Sequence, residues 1–437
     1  MSVTRSIPDV FRRESGSVNP LLVDQVLAPA LEMLGSFVRG VYHDGPLHDA
    51  RWIRIGVLRV LSQCVSGRDF LQQLREVGGE ELARASFFGS LHSKPRQDRL
   101  AHLNTELVLR RGALLEDLLG NFPELKDRPI YAVDGHHLAH ATHARRDAEG
   151  EQVSSNSLYV LSLHTGLLLN LAAVQGNGER HHELPIFRQR VIPWLVKHGT
   201  HRGAKPIFVA DPAFVDKRFW TQMQLGWKDG ALVITRTKEN MKPIVSGSRN
   251  WDPDAPANQG VLADESVVFP GGYPMRRVQY VDPETGLEYE FLTTVLDLAP
   301  GLIALLYLLR WRIEKVFDTG KNKLEETKAW AAGSVAQEIQ AHFFALTHNL
   351  LLLLRRHLEQ TQDLREVKVE QKRTVASVAR REQLTRAGRT VSSFRKLLPA
   401  VVQLTAQFIR TLRNGILVRI HWLQALALLR RSMESYL

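Results

Sequence analysis

Two apolar runs in this chain each end in an aspartate: Ile130, Tyr131, Ala132 and Val133 lead to Asp134, and Ile207, Phe208, Val209 and Ala210 lead to Asp211. A carboxylate at the mouth of a buried strand is often no more than a turn or cap residue. A pair from separate strands gains chemical meaning when a third carboxylate joins it. Hard cations such as Mg²⁺ take oxygen ligands, and a two-metal phosphoryl-transfer site needs carboxylates converging from different elements. Glu314 is the candidate for that third position. In the helical run after Pro300, at 100° per residue, Tyr307, Arg310, Glu314 and Lys321 fall at about 0°, −60°, −20° and −40°, on one stripe. A phenol, a guanidinium, a carboxylate and an ammonium make a poor core seam. They make a serviceable metal and phosphate surface, with Glu314 as ligand and the cations on phosphate oxygens. The same spacing also fits an exposed helix face held by an Arg310 to Glu314 pair four residues apart, which would carry no chemistry.

These residues need a scaffold that brings two strand ends and a helix together. Apolar residues recur three and four apart over residues 21–38, 53–65 and 100–119, which predicts a mostly helical start. Around Gly78 and Gly79, the stretches 70–77 and 81–90 read as a helical hairpin, with a helix-turn-helix as the alternative. From Pro129 the pattern turns to strands: 130–133, then 158–163 and 167–174 joined as an antiparallel hairpin through His164, Thr165 and Gly166. A helix over 184–197, a strand at 206–210, a helix over 214–225 and a strand at 231–235 follow. A meander followed by alternating strands and helices predicts an α/β fold with a mixed sheet and not a doubly wound parallel one. Gly and Pro punctuate the next part, whose candidate strands at 267–269, 275–281 and 289–295 read as a β-rich insertion. The helical period returns over 302–323 and 335–358. The expected divisions are a helical region at 1–125, a core at 126–240, an insertion at 241–290, the rest of the core at 291–354, and a helical tail at 355–437.

Tyr307, Arg310, Glu314 and Lys321, separated by two, three and six residues, resemble the YREK signature of bacterial insertion-sequence transposases with a DDE triad, of the insertion sequence family four type. The resemblance extends to residues 131–135, 209–212 and 291–294 and to Trp311, and covers roughly 126–350. Thr294 departs from it, since asparagine is expected there. The resemblance implies a ribonuclease H-like fold interrupted by the insertion, and a triad of Asp134, Asp211 and Glu314 holding two Mg²⁺ ions, for which Mn²⁺ can substitute. Tyr307, Arg310 and Lys321 would grip phosphates near the cleaved end. Arg236 and Trp251 would be further DNA contacts, the latter holding an unstacked base in an insertion that also carries Arg276 and Arg277, although a tryptophan in a Pro-rich loop is more often a packing anchor. The implied activity is cut-and-paste: binding of the inverted-repeat ends of a mobile element, Mg²⁺-dependent cleavage, and joining of 3′-ends to target double-stranded DNA. A homodimer bridging two ends is the implied active form, with the N-terminal region a possible reader of the ends. The rival readings are a catalytically silent or domesticated DNA-binding derivative and a structure-directed nuclease on the same fold.

Charge supports a polyanionic partner. Lys and Arg number 57 against 46 Asp and Glu, a net +11, and the whole excess lies after residue 354, where 17 basic residues face 6 acidic ones. A solvated basic helical face is the plainer reading of that tail, although apolar residues at helical spacing in 397–402, 408–412 and 416–429 suit dimerisation as well. His136, His137, His140 and His143 crowd the segment after Asp134, and His181 and His182 stand together; without cysteine nearby, a polar loop beside DNA is preferred to a zinc site. The single cysteine, Cys64, excludes an internal disulfide and fits a reducing bacterial cytoplasm, with nucleoid association when DNA is bound. No secretion signal, membrane span or nucleotide-binding motif is expected, so neither a membrane nor ATP is implied.

Overall fold

The computed structural model describes residues 19–35, 46–64, 66–112, 115–139, 146, 155–175, 183–191, 193–194, 204–225, 230–365, 367–399 and 404–434. Its strands are β1 (Ile130–Leu138), β2 (Ser155–Ser162), β3 (Leu168–Gln175), β4 (Ile207–Ala210), β5 (Leu232–Arg236), β6 (Ile244–Ser248), β7 (Val261–Phe269), β8 (Tyr273–Val281) and β9 (Glu288–Thr293). They form one sheet in the order β3-β2-β1-β4-β5-β9-β8-β7-β6. The pairs β3/β2 and β2/β1 are antiparallel, β1/β4 and β4/β5 parallel, and β5/β9 and the remaining pairs antiparallel. An antiparallel meander feeding two parallel strands is the ribonuclease H-like arrangement. The β-rich insertion continues that sheet past β9.

The helices are α1 (Leu22–Gly35), α2 (Asp49–Leu61), α3 (Gly67–Glu76), α4 (Arg84–Ser90), α5 (Lys94–Arg111), α6 (Glu183–Ile186), α7 (Lys217–Leu225), α8 (Pro300–Leu309), α9 (Trp311–Lys323), α10 (Ser334–Gln362), α11 (Val367–Arg386), α12 (Ser393–Leu397), α13 (Ala406–Leu417) and α14 (Trp422–Glu434). They cover both faces of the sheet, which is why the central strands read as unbroken apolar runs. Alternation along each strand sorts the residues into two cores. Ile130 and Ala132, Ile207 and Val209, and Ile234 join one core, with α8, α9 and α10; Tyr131 and Val133, Phe208 and Ala210, and Val233 join the other, with Phe214, Trp220 and Met223.

Three local readings change. Strand β1 does not stop at Asp134 but runs on to Leu138, because β2 pairs with it along its whole length, from Tyr131 opposite Ser162 to Leu138 opposite Ser155. His136 and His137 are therefore strand residues and not a polar loop; His140, His143, His181 and His182 lie outside the described residues. The helix expected over 302–323 is two, α8 and α9, divided at Arg310, where bonds span three residues: Arg310 N–H to the Tyr307 carbonyl (3.1 Å) and Ile313 N–H to the Arg310 carbonyl (3.0 Å). Strand β6 was not expected, and its five residues are all exposed at the edge of the sheet, so they lack the half-buried alternation by which a strand is recognised.

The tail and the insertion are joined. Glu284, in the β8–β9 turn, is fully buried and accepts from Arg380 of α11 (2.6 Å), Arg395 of α12 and the Ser392 backbone N–H (3.0 Å). Part of the tail's positive charge is thereby spent on an internal carboxylate. Within the insertion, Arg276 is buried and forked onto Asp264 (2.8 and 2.7 Å), and Arg277 pairs with Glu265 (2.6 Å), so neither is a free cation for DNA.

Candidate active site

The sheet aligns the first half of the site by register. Val133 lies opposite Ala210 across β1/β4, and Val209 opposite Ile234 across β4/β5. Continuing each pairing places Asp134 level with Asp211, and Asp211 level with Arg236, on neighbouring strands about 5 Å apart. By alternation all three project to the face covered by α8, α9 and α10, since Ala132, Val209 and Ile234 do. Asp211 is half-buried and caps a 3₁₀ turn, Pro212–Phe214, by accepting from the Ala213 N–H. Asp134 accepts from the Gly135 N–H at 2.9 Å.

The second half descends from the α8/α9 junction. Arg310 is buried, 5% exposed, and its guanidinium donates to Asp134 Oδ2 at 3.2 Å and to Glu314 Oε1 at 2.8 Å. Burial disfavours its charge, yet the charges of Asp134, Tyr307 and Glu314 outweigh that and raise its pKa. Tyr307 is buried against Phe291 of β9, with ring centroids 5.0 Å apart. Burial raises its phenol pKa, while Arg310 and Arg236 act to lower it and Asp211 to raise it. These influences put Tyr307 within the field of both halves. Helix α9 is docked on β1 by Phe317, whose ring stacks on His136 at 4.6 Å and meets Tyr159 at 5.4 Å. Burial, then the nearby charges of Lys321 and His137, pull the His136 pKa down to about 4, so its ring is neutral packing.

The sequence-predicted residues thus divide. Asp134, Asp211, Glu314, Tyr307, Arg310 and Arg236 stand on one side of the sheet around the α8/α9 junction. Lys321 and Arg236 are exposed. Trp251 is half-buried and packs against the hydrophobic core, as a packing anchor does. Thr294 is buried, and its hydroxyl accepts from the Val233 N–H at 2.9 Å, which ties the end of β9 to β5. The contribution of His136 was missed. Alternation along β1 carries the signal, since residues 134 and 136 of one strand share a face.

A divalent ion suits the chemistry of this donor set, which is carboxylate oxygen throughout. Two of the three carboxylates already converge on one positive charge, the Arg310 guanidinium. Among the described residues, no three His, Cys, Asp or Glu side chains are grouped closely enough to hold an ion together. Asp134, Asp211 and Glu314 are side chains that could hold a metal, and Arg310 is bonded to two of them.

Residues 125–350 match the family described as Transposase DDE domain. No curated protein matches the chain in sequence. Among solved structures, an endonuclease V from Bacillus subtilis is similar over 50% of this chain and 83% of its own, at 12% identity and a TM-score of 0.21, a likeness too slight to argue from. Among the described residues no helix is long and apolar enough to cross a membrane. The match spans just over half of the 437 residues, and the chain belongs to the transposase DDE domain family, whose members act on DNA with divalent metal ions.

Proposed function

We propose that this chain is a transposase of the YREK-signature class, of the insertion sequence family four type. It binds the inverted-repeat ends of its own element, cleaves them and joins their 3′-ends to target DNA. One observation carries the reading: Asp134 and Asp211, level on adjacent parallel strands, face the junction that brings Tyr307, Arg310 and Glu314 down onto the same side of the sheet. Asp134, Asp211 and Glu314 are the catalytic carboxylates and hold two Mg²⁺ ions, or Mn²⁺ in their place. When bound, the ions supply an activated water or 3′-hydroxyl and stabilise the leaving oxygen.

The chain's own residues do the rest. Arg310 bridges Asp134 and Glu314 until it turns to the phosphates near the cleaved end, which it grips together with Tyr307, whose ring packs on Phe291. Lys321 and Arg236, both exposed, bind backbone phosphates and fix the position of the DNA without reading its bases. The helical region at 1–125 and the tail at 355–437 are assigned to end binding and to assembly, and a homodimer bridges two ends. In that division the core at 126–240 and 291–354 cuts, and the insertion at 241–290 is clamped to the tail through Glu284.

The test is cleavage and joining of a linear DNA carrying the element's ends. The wild-type protein with Mg²⁺ should nick the ends and join a pre-cut end to target DNA, while Asp211→Asn should bind the ends and do neither. Cutting without joining would make the protein a nuclease. Binding without cutting by the wild type would make it a silent derivative.

A further inference from the structure

The face of α9 opposite Glu314 has no part in the proposed chemistry. Arg312, Val316, Thr319 and Lys323 lie about 140° to 180° around the helix from Glu314 and Lys321. They line a cavity of about 440 Å³, closed on its other sides by residues that include Leu118, Leu161 and Leu352. That volume lies in the range of small-molecule pockets.

Arg312 is the anomaly. Among the described residues its guanidinium has no carboxylate within ion-pair distance, and its hydrogen bond to the Leu163 carbonyl is long, at 3.4 Å. A half-buried guanidinium without an ion-pair partner at the wall of a cavity is available to an anion that enters it. Of the other polar groups at the cavity, Lys315 is exposed and Asp318 accepts from the Asn322 amide at 2.6 Å. Lys323 donates to the Leu404 carbonyl at 2.9 Å, and Arg356 pairs with Glu116 at 3.4 Å. His348 Nε2 bonds the Gly166 carbonyl at 3.0 Å, and burial lowers its pKa to about 4, so it brings no positive charge near neutral pH. The lining thus carries four cations, Arg312, Lys315, Lys323 and Arg356, against two carboxylates, Glu116 and Asp318, and an entering anion would meet that positive excess with the Arg312 guanidinium unpaired and leucines behind it.

We propose that the cavity behind α9 binds a small organic anion, with its carboxylate or phosphate head on Arg312 and its apolar body against Leu118, Leu161 and Leu352. The geometry calls for an amphipathic ligand, since inorganic phosphate would leave those walls uncovered. Arg312 and Glu314 are two residues apart on one helix, so an occupant would press on the same helix that carries the third carboxylate.

The proposal is tested without DNA or metal, by isothermal titration calorimetry of the full chain with octanoate and, separately, with phenyl phosphate. At least one should bind saturably at one site per chain, and the stronger of the two identifies the head group. Arg312→Gln should weaken it about tenfold or more, the loss expected when a hydrogen bond to a charged group is removed. Thr319→Trp, which fills the cavity from the side of α9, should abolish binding without loss of the cooperative melting transition, and it serves in place of Arg312→Gln if that variant does not fold. No saturable binding of either anion, equal affinity in the variants, or equally tight binding of neutral 1-octanol would overturn the proposal.

Discussion

The strand-borne and helix-borne halves of the site are held by different physics. Asp134, Asp211 and Arg236 owe their alignment to the backbone register of three neighbouring strands, two of whose pairings are parallel and buried on both faces. Their positions follow from hydrogen bonds that no side-chain change nearby removes. Tyr307, Arg310 and Glu314 depend on side chains: the packing of Ile313 and Phe317 on the sheet, and one guanidinium shared by two carboxylates. The sheet half is a fixed floor. The helix half is a fitting that can be loosened without unfolding the floor, and it contains the break at which the helical bonds shorten to span three residues.

The largest effect should come from the floor. Asp211→Asn keeps the shape and the cap of the following turn but removes a ligand charge, and it should cut end cleavage by about a thousandfold or more, about 4 kcal/mol of barrier, with end binding retained. Gel-shift and nicking assays on the same preparation separate the two. Retained cleavage would remove the floor from the chemistry altogether.

Next comes the docking of the helix half. Phe317→Ala takes a 6% exposed ring from between His136 and Tyr159, and should cost about 3 kcal/mol of stability by the cavity it leaves. Chemical denaturation reads that cost. If cleavage fell no further than stability requires, the placement of Glu314 would not depend on this packing.

A smaller effect is expected at the shared guanidinium. Arg310→Ala removes the guanidinium shared by Asp134 and Glu314, whose side chains are 22% and 32% exposed. Because water reaches both, the cost should be only about 1 to 2 kcal/mol. Since the guanidinium occupies the space between two candidate ligands, the variant should bind Mn²⁺ at least as tightly as the wild type, as read by calorimetry without DNA. Weaker Mn²⁺ binding would show that Arg310 assists the metal and does not stand in for it.

The smallest is Lys321→Ala. An exposed lysine on backbone phosphate should contribute about one unit to the slope of log affinity against log salt, and its loss should leave sequence preference unchanged. A changed preferred end sequence would mean that Lys321 reads bases.

The same division explains what could be read from the residues alone. The floor was legible because 130–133 and 207–210 are apolar runs ending in aspartate, and a two-residue period then decides which side chains share a face. The signature helix was legible as a spacing, but its break at Arg310 was not: the run from Leu302 to Phe317 is uniformly helix-favouring, and the three-residue bonds occur where Arg310 turns inward to Asp134. The burial of Arg276 and Glu284 was equally hidden. Charge counts treat every arginine as available, whereas Asp264 takes one across a hairpin and the clamp on Glu284 takes two more from residues about a hundred positions on. Strand β6 escaped because an edge strand exposed at every residue has no alternation to detect.

The central claim is that Asp134, Asp211 and Glu314 form one metal-binding centre. It is tested most directly by crystals of the protein with cleaved end DNA and Mn²⁺, using the anomalous scattering of manganese. Anomalous peaks are expected among these three carboxylates, with the DNA 3′-end beside them and Arg310 withdrawn from the space between Asp134 and Glu314. Ordered end DNA with manganese bound elsewhere, or with Arg310 still bridging the two carboxylates and no peak beside them, would contradict it.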